Sequence, residues 1–393
     1  MERPGAARDL DRFVSPKGRT PRLVLDLIRA SGPISRIELA EATTLTPATI
    51  TNVVRDLIAS GLVSEIGTGE PTGGKRRTLL QITPDAHFAV GVLLGFDSIS
   101  YVVVNLWGAV VGERDAAGAG HDSPAAVVER IAGDIDELVD ELAIDRSLLL
   151  GIGMVVPGPI DPAQGMAVQL PSAPPWQDFS VRDALERAGG LPVLMENDAT
   201  AAAMGEYWSG GTAGVSTFAV VHMGLGIGAG IVVAGEPLRG VSSNAGEIGH
   251  LSIDMDGPLC HCGNRGCLEL SAAPFASEQR YAALTGSALE WPAIAALAVD
   301  GDPAAGEVVR EAADALATAV TSMANLLDLE LVVFTGDGFG AAADLMAGIT
   351  QERLDRTFFS RRSHPVTVRP SANLRHAAAL GGATLVLREH LTR

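Results

Sequence analysis

Three cysteines and one histidine are the residues of this sequence whose types and spacing point most directly to chemistry. Cys260, Cys262 and Cys267 are all the cysteines of the 393-residue chain, and His250 precedes the first of them by ten positions. Three thiolates and one imidazole make a complete tetrahedral zinc set. Cysteines can also be small apolar core residues, but three chance cysteines would rarely fall so close together with glycines between them. We therefore expect zinc to be bound by these four residues.

The number of ligands indicates what this zinc does. A catalytic zinc usually keeps one position open for water, whereas four protein ligands close the site. We therefore expect the metal to organise the backbone and not to activate a nucleophile. His261 lies between two of the ligands and is expected to point to solvent.

The composition limits the class of protein. A chain of 393 residues is expected to hold two or three domains with ample core. With all three cysteines assigned to metal no disulfide framework is left, which fits a reducing cytoplasm. The segment from Met1 to Thr20 lacks the apolar core of a signal peptide. The longest apolar runs have strand length, so no membrane partner is expected.

The charge is distributed unevenly along the chain. The formal net charge is −18, yet residues 1–83 carry 12 Lys and Arg against 9 Asp and Glu, which gives +3. The remainder carries 17 against 38, which gives −21. This asymmetry is one indication of a nucleic-acid-binding module attached to an acidic body.

The front of the chain is predicted to form three short helices and a two-stranded hairpin. Each helix start has a capping or proline signal, and each strand is a short apolar run. The helix starts are Thr20-Pro21, Ser35 with Glu38 as a capping box, and Thr46-Pro47, and the strands are Leu62–Ile66 and Thr78–Ile82.

The third predicted helix leaves short polar side chains and one arginine exposed. Such a face suits the major groove of DNA, where long acids would be repelled. The turn from Gly67 to Arg77 adds a basic cluster for phosphate contacts. We therefore predict a winged helix-turn-helix with operator DNA as partner; the alternative is a small helical protein-interaction domain with a solvated charge run. The expected DNA contacts are Ser35, Thr46, Thr49, Thr51, Asn52, Arg55, Lys75, Arg76 and Arg77.

From about His87 the chain is predicted to form an α/β body. Two strand meanders are each followed by helices and a further strand, which suggests two duplicated lobes with a cleft. Glu196-Asn197-Asp198 follows a short buried strand, at the strand end where open α/β sheets bind ligands. A glycine-rich turn from Gly224 to Gly230 lies within the second meander.

Several motifs of the body resemble those of the ROK family, which contains repressors, open reading frames and kinases. The resemblance covers residues 88–390 and implies an actin-like, ribonuclease-H-like body of the sugar-kinase type. The motifs are Val156-Pro157-Gly158-Pro159, Glu196-Asn197-Asp198-Ala199, Asn244-Ala245-Gly246-Glu247-Ile248-Gly249-His250, and the cysteine cluster closing on Cys267-Leu268-Glu269.

This resemblance implies a sugar site beside the metal. Carboxylates and amides clustered in a cleft can read pairs of hydroxyl groups. Asn197 and Asp198 could instead only cap a helix, and the two glutamates could be solvated surface residues. The residues implied to bind the effector are Asn197, Asp198, Glu247, Glu269 and His250, the last also being a zinc ligand through its other nitrogen.

The phosphate loops distinguish a sensor from a kinase. Kinases of this family carry Asp-x-Gly-Gly-Thr in the first loop, where this chain has Leu93-Leu94-Gly95-Phe96-Asp97. An acid at the threonine position repels polyphosphate, and Phe96 blocks the close approach of backbone. In the second loop Leu225 stands where the kinases have a phosphate-contacting threonine. Asp198, the general base of such kinases, is present and does not discriminate.

We therefore predict a non-enzymatic, sugar-responsive transcriptional regulator, a repressor, in the cytoplasm. Its effector would be a sugar or sugar phosphate, and operator half-sites would require a homodimer or homotetramer. The alternatives are an active ATP-dependent sugar kinase with an accessory DNA-binding domain, and a zinc-dependent interaction protein. The predicted units are 1–84 for the DNA-binding domain, 85–199 with 376–393 for the first lobe, and 200–375 for the second lobe with the zinc loop.

Overall fold

The fold was obtained as a computed structural model. It describes residues 16–68, 77–161, 166–167, 176, 179–209, 211–212 and 214–390. Among the helices of these ranges, none is both long and apolar enough to cross a membrane.

The front module has three helices packed on a small antiparallel sheet. The second helix has the predicted capping box, in which the Ser35 hydroxyl accepts from Glu38 N and the Glu38 carboxylate accepts from Ser35 N. The first helix begins earlier than predicted, at Pro16, and Pro21 lies inside it; Pro16 has the fixed φ that suits a first helical position. The elements are α1 (Pro16–Ser31), β1 (Ile34–Ser35), α2 (Arg36–Thr43), α3 (Pro47–Ala59), β2 (Val63–Thr68) and β3 (Thr78–Ile82), with sheet order β1-β3-β2.

The first lobe is built on a mixed five-stranded sheet. Three strands form an antiparallel meander, and two later strands join it in parallel, in the order β10-β7-β4-β5-β6. A short hairpin, β8 (Ile160–Asp161) with β9 (Met166–Ala167), follows the fourth strand. The elements are β4 (Phe88–Leu94), β5 (Ser98–Asn105), β6 (Val110–Ala117), α4 (Pro124–Glu141), β7 (Leu149–Val156), α5 (Val181–Gly189) and β10 (Val193–Asn197).

The second lobe repeats this arrangement. Its sheet has the order β13-β12-β11-β14-β15, again a meander of three strands to which two more are added in parallel. The equal order and direction of strands are what a duplicated body requires. The strands are β11 (Phe218–Met223), β12 (Ile227–Val233), β13 (Glu236–Pro237), β14 (Leu331–Thr335) and β15 (Thr367–Pro370). The helices that follow β10 along the chain are α6 (Asp198–Trp208), α7 (Glu269–Ala272), α8 (Pro274–Thr285), α9 (Trp291–Val299), α10 (Pro303–Leu327), α11 (Ala343–Thr357) and α12 (Ala377–His390).

Helices α6 and α12 pack against each other between the two sheets. Helix α12 contacts β4 and β7 of the first lobe, and α6 contacts β11 and β12 of the second. Their contact is backbone on backbone, since a Cβ on Gly381 would stand 1.7 Å from the carbonyl oxygen of Ala201. A Cβ on Gly230 would likewise lie 2.0 Å from the carbonyl oxygen of Ala199, which fixes α6 against β12. Because no side chain cushions these contacts, α6 is held as a rigid element.

Candidate functional site

The junction of β10 and α6 presents the first two candidate effector residues. Asn197 caps α6, since its side-chain oxygen accepts from Thr200 N at 3.1 Å. Its side-chain nitrogen donates to the carbonyl oxygen of Gly158 at 3.2 Å, and the residue is 8% exposed. Both ends of the amide are therefore used in holding the junction together.

Asp198 is the first residue of α6 and is largely buried. Its Oδ1 accepts from Ala199 N at 2.7 Å, and its side chain is 16% exposed. Burial raises the pKa of this carboxyl, and the nearby imidazole of His222 works against that rise. Asp198 is thus held at the start of α6 with Oδ2 toward His222.

Glu247 lies close to two further carboxylates. Burial, followed by the charges of Asp198 and Glu269, raises its pKa to about 7. It precedes a short 3-10 turn, Ile248–His250, that carries the candidate metal-binding histidine. The structure therefore brings together three of the residues predicted from separate segments of the sequence.

The four predicted zinc ligands converge on one point. All four donor atoms lie within 4.8 Å of one another. Cys262 Sγ and Cys267 Sγ are 3.6 Å apart, and Cys260 Sγ is 3.7 Å from His250 Nδ1. Ligands bound tetrahedrally at about 2.0 to 2.3 Å stand roughly 3.5 to 3.8 Å apart, so the spacing fits zinc. A His and three Cys cluster that could hold a metal ion is therefore present.

A second possible ligand set overlaps the first. It consists of His250, Cys260, His261 and Glu269. Glu269 Oε1 lies 3.3 Å from both Cys260 Sγ and His250 Nδ1, and 3.5 Å from His261 Nδ1. The His261 side chain, expected to point to solvent, is 57% exposed but keeps Nδ1 beside this group. Zinc prefers three thiolates to one, which favours the first set.

The environments of the thiols differ. Burial raises the pKa of Cys260 to about 12, and burial also raises the pKa of Cys267. A hydrogen bond from the backbone N–H of Asn264 lowers the pKa of Cys262. Burial thus favours the protonated thiol form of Cys260 and Cys267, whose protons a bound metal would displace.

His222 was not predicted as part of the site, yet it faces Asp198. It is 5% exposed near the end of β11, and its Nε2 lies 3.8 Å from Asp198 Oδ2. His222 could have been found from the sequence, because it is a polar residue at the carboxyl end of a buried strand. The same feature identified Asp198.

The exposed face of α3 carries most of the predicted DNA contacts. Thr46, Thr51, Asn52 and Arg55 are exposed, and Thr49 is half-buried. Thr46 also caps the helix by accepting from Thr49 N at 3.2 Å. These residues lie on α3 or directly before it, and recognition of a groove requires such a set on one helix.

Ser35 does not belong to this surface. It is 2% exposed, pairs with Leu79 as part of β1, and donates its hydroxyl to Glu38 Oε2 at 2.6 Å. Its role is therefore to cap α2, and we remove it from the proposed DNA contacts. The sequence pattern gave the cap but not the two-residue strand that buries it.

The wing is only partly described. Lys75 and Arg76 lie outside the described residues. Arg77 is described, and its Nη1 lies 4.0 Å from Glu38 Oε1. Arg36 pairs with Glu65 at 2.8 Å, so the base of the hairpin holds two cations beside the helices.

Comparison with known proteins matches both parts of the chain. Residues 89–389 match the model of the ROK family, and residues 20–65 match that of the MarR family. The putative xylose repressor of Caldicellulosiruptor sp. (strain Rt8B.4) is 30% identical over 390 residues, covering 94% of this chain and 95% of that protein.

Two solved structures match different shares of this chain. A ROK family transcriptional regulator, described as a homolog of the E. coli MLC protein, has a TM-score of 0.80 at 27% identity and covers 96% of both chains. The ROK hexokinase from Thermus thermophilus has a TM-score of 0.63 at 30% identity. The match covers 75% of this chain and 96% of the hexokinase chain. The front module accounts for this difference in coverage. Because the family match spans most of its length, the chain belongs to the ROK family.

Proposed function

We propose that this chain is a DNA-binding transcriptional regulator, a repressor, whose ROK body senses a sugar or sugar phosphate. The regulator is favoured over the kinase because similarity to the repressor and to the regulator structure extends through the front module. Asp198, Glu247, Glu269 and the free Nε2 of His250 would accept and donate hydrogen bonds to sugar hydroxyls, while the N-terminal helices bind operator DNA.

One observation carries the proposal: a single helix connects the two sites. Helix α6 starts at Asp198 in the cleft and ends at Trp208 against the front module. The guanidinium carbon of Arg29, on α1, stands 4.1 Å from the centroid of the Trp208 ring. Eleven residues of helix span about 16 Å, so a shift of α6 at the sugar end would reach α1 of the front module.

The contact at the end of α6 has a clear physical basis. Arg29 Nη1 donates to the carbonyl oxygen of Trp208 at 3.4 Å. The last carbonyl groups of a helix lack partners within it and carry partial negative charge, which a cation stabilises. Stacking on the indole adds a cation–π interaction. Arg29 Nε is buried and has no hydrogen-bond partner among the described residues, whereas Nη1 is bonded to the end of α6.

The candidate zinc site supports the sugar pocket. His250, Cys260, Cys262 and Cys267 would hold the ion, and Glu269 follows the last ligand by two residues. A zinc ion held by these four residues would be a closed structural link, because four protein ligands would leave it no position for substrate. Its proposed role is to fix Glu247, Glu269 and His250 around the effector.

The phosphate loops support a sensor over a phosphoryl-transfer enzyme. Phe96, in the first loop, is 41% exposed, and its ring meets the ring of His121 edge to face at 5.3 Å. Leu225, in the second loop, is 61% exposed. An apolar side chain donates no hydrogen bond to phosphate, and Asp97 would repel it. A coupled assay should therefore detect no ADP release with D-glucose, D-xylose or N-acetylglucosamine; turnover with any of them would favour the kinase.

The proposed coupling is tested on the full chain. A DNA site is selected from random duplexes, and its affinity is measured with and without D-xylose, D-glucose, N-acetylglucosamine and their phosphates. We expect one of these to change DNA affinity about tenfold, within the usual range of allosteric coupling. Absence of DNA binding, or of any sugar effect, would contradict the proposal.

Variants of the α6 contact test the route. Trp208→Ala should bind DNA and sugar with near-normal affinity, but the sugar should no longer change DNA binding. Trp208→Phe keeps an aromatic face for Arg29 and is the matched control, so it should retain much of the response. A normal response of Trp208→Ala would show that the signal does not pass through this contact.

A further inference from the structure

His222 is a buried titratable residue to which neither the sequence motifs nor the family comparison assigns a role. It lies on β11 beside Thr335 of β14, with which it is in register in the parallel pair. Residues in register on neighbouring strands point to the same face of a sheet. Both are buried, His222 with 5% and Thr335 with no exposure.

The imidazole stands between a hydroxyl and a carboxylate. Its Nδ1 lies 3.1 Å from Thr335 Oγ1, within hydrogen-bond distance. Its Nε2 lies 3.8 Å from Asp198 Oδ2, and a Cβ on Gly224 would stand 3.9 Å from the same nitrogen. The ring therefore reaches from the second sheet to the first residue of α6, at the edge of the glycine-rich turn.

The hydrogen bond to Thr335 fixes the ring. In a neutral imidazole one nitrogen donates and the other accepts, and the partner of one nitrogen determines the role of the other. When Thr335 donates to Nδ1, the hydrogen is carried by Nε2, which faces Asp198. A threonine hydroxyl can take this role because it rotates freely to donate or accept.

The two carboxylate oxygens of Asp198 have different neighbours. Oδ1 accepts from Ala199 N at 2.7 Å, whereas Oδ2 is 3.8 Å from the imidazole, longer than a hydrogen bond. A small rotation of the carboxylate, or a small shift of α6, would close this gap. A sugar hydroxyl can donate a hydrogen bond to Oδ2 only when Oδ2 is oriented toward that hydroxyl.

We propose that His222 is a positioning residue for the effector site, which holds Asp198 Oδ2 in the orientation that accepts a sugar hydroxyl. The inference rests on the proposed function, because it takes Asp198 to be a sugar ligand. Thr335, His222 and Asp198 form a chain from β14 through β11 to α6. Sugar binding would shorten the Nε2 to Oδ2 distance to that of a charge-assisted hydrogen bond, about 2.8 Å.

Two amide variants separate the functions of the two ring nitrogens. Glutamine places its amide nitrogen near the position of Nε2, and asparagine places its amide near Nδ1. His222→Gln should keep sugar affinity within about threefold, while His222→Asn should lose tenfold or more, as expected for losing a hydrogen bond to a charged group. Affinity is measured by calorimetry with whichever of D-xylose, D-glucose, N-acetylglucosamine or their phosphates binds the unsubstituted chain.

The double variant distinguishes positioning from a general structural role. In an Asp198→Asn background, adding His222→Asn should cause little further loss, because the carboxylate that His222 orients is gone. Thr335→Val removes the hydroxyl at nearly constant volume and should weaken sugar binding as His222→Asn does. All variants should keep a cooperative unfolding transition and the selected-site DNA affinity of the unsubstituted chain.

The outcomes separate this inference from the proposed function. Equal sugar affinity of His222→Asn and the unsubstituted chain, or losses that add fully in the double variant, would overturn the role of His222 alone. If no sugar of the panel binds the unsubstituted chain, the sensor proposal fails together with the inference drawn from it.

Discussion

Glu247 is the residue of the site whose ionisation should be visible in stability. Its pKa in the folded chain is about 7 against an ordinary value of 4.5, so the folded state binds its proton more tightly than the unfolded state. The free energy of unfolding should therefore fall as pH rises from about 4.5 to about 7, and level off above that.

Glu247→Gln removes this dependence. The experiment compares the melting temperatures of the variant and the unsubstituted chain, both zinc-loaded. The difference, variant minus unsubstituted, should increase from pH 5.5 to pH 7.5. Glu129→Gln is a suitable control, since Glu129 is an exposed acid of α4 remote in sequence from the three carboxylates. A difference that stays constant with pH would show that the Glu247 carboxylate is not held among its neighbours.

Arg55 should contribute to DNA binding through its exposed position on α3. Arg55→Ala should weaken binding to the selected DNA site about tenfold, with a shallower dependence on salt if the contact is to phosphate. Its neighbour Asp56, whose Oδ1 lies 3.3 Å from Arg55 Nε, provides the control. Asp56→Ala removes a repulsive acid and should not weaken binding. Equal losses in both variants would point to damage to α3 instead of a lost contact.

At the scale of single residues, the sequence identified groups with distinctive types and missed those defined by their neighbours. The four metal-ligand candidates and the carboxylates share motifs, so spacing and family resemblance sufficed to find them. His222 has no motif, because its partner Thr335 lies 113 positions away and becomes a neighbour only through the pairing of β11 with β14. Ser35 shows the reverse. Its residue type suits a DNA contact, but tertiary packing buries it.

At the scale of elements, the zinc loop should be necessary for sugar binding. Removing the metal, or changing Cys262 to Ser, should lower the melting temperature and weaken sugar binding, since the loop carries His250 and leads into Glu269. Re-addition of zinc should restore the chelated protein but not the variant.

Two variants decide which ligand set is used. His261→Ala should retain one zinc per chain by elemental analysis if the three cysteines and His250 bind it, and Cys262→Ser should lose it. The opposite pattern would assign the metal to His250, Cys260, His261 and Glu269.

Longer elements were predicted better than short ones. The starts of α2 and α3 and the whole of β3 follow the prediction because capping residues and alternating apolar positions are local signals. The strands β1 and β13 have two residues each, and such strands have no periodicity to detect. The edge strand β15, Thr367–Pro370, is half-buried and is defined by its parallel pairing to β14.

At the scale of the whole molecule, we propose a homodimer or a homotetramer. Two winged modules would then bind half-sites about one helical turn, or a multiple of it, apart. Sedimentation of the zinc-loaded chain should give a dimer or tetramer, and inserting about five base pairs between the half-sites should weaken binding strongly, because the second half-site rotates to the other side of the duplex. A monomer, or indifference to the insertion, would contradict this.

The duplicated body could be inferred from sequence, but the division into units 1–84, 85–199 with 376–393, and 200–375 stays a prediction. What sequence could not reveal is how the parts touch. The contact between α6 and α12 depends on glycines such as Gly205 and Gly381, whose importance is visible only once a carbonyl oxygen is found where their Cβ would be.

The apolar core continues from the front module into the body, and this limits how such regulators can be recombined. Buried residues of α1, α3 and β3 belong to one cluster with those of α6 and α12. A chimera that borrows residues 1–84 from a relative without an arginine at the position of Arg29 should still bind DNA, yet ignore the sugar. Among relatives that keep this coupling, the residues at positions 29 and 208 should therefore change together. A relative could then acquire a new operator and keep the effect of sugar on DNA binding.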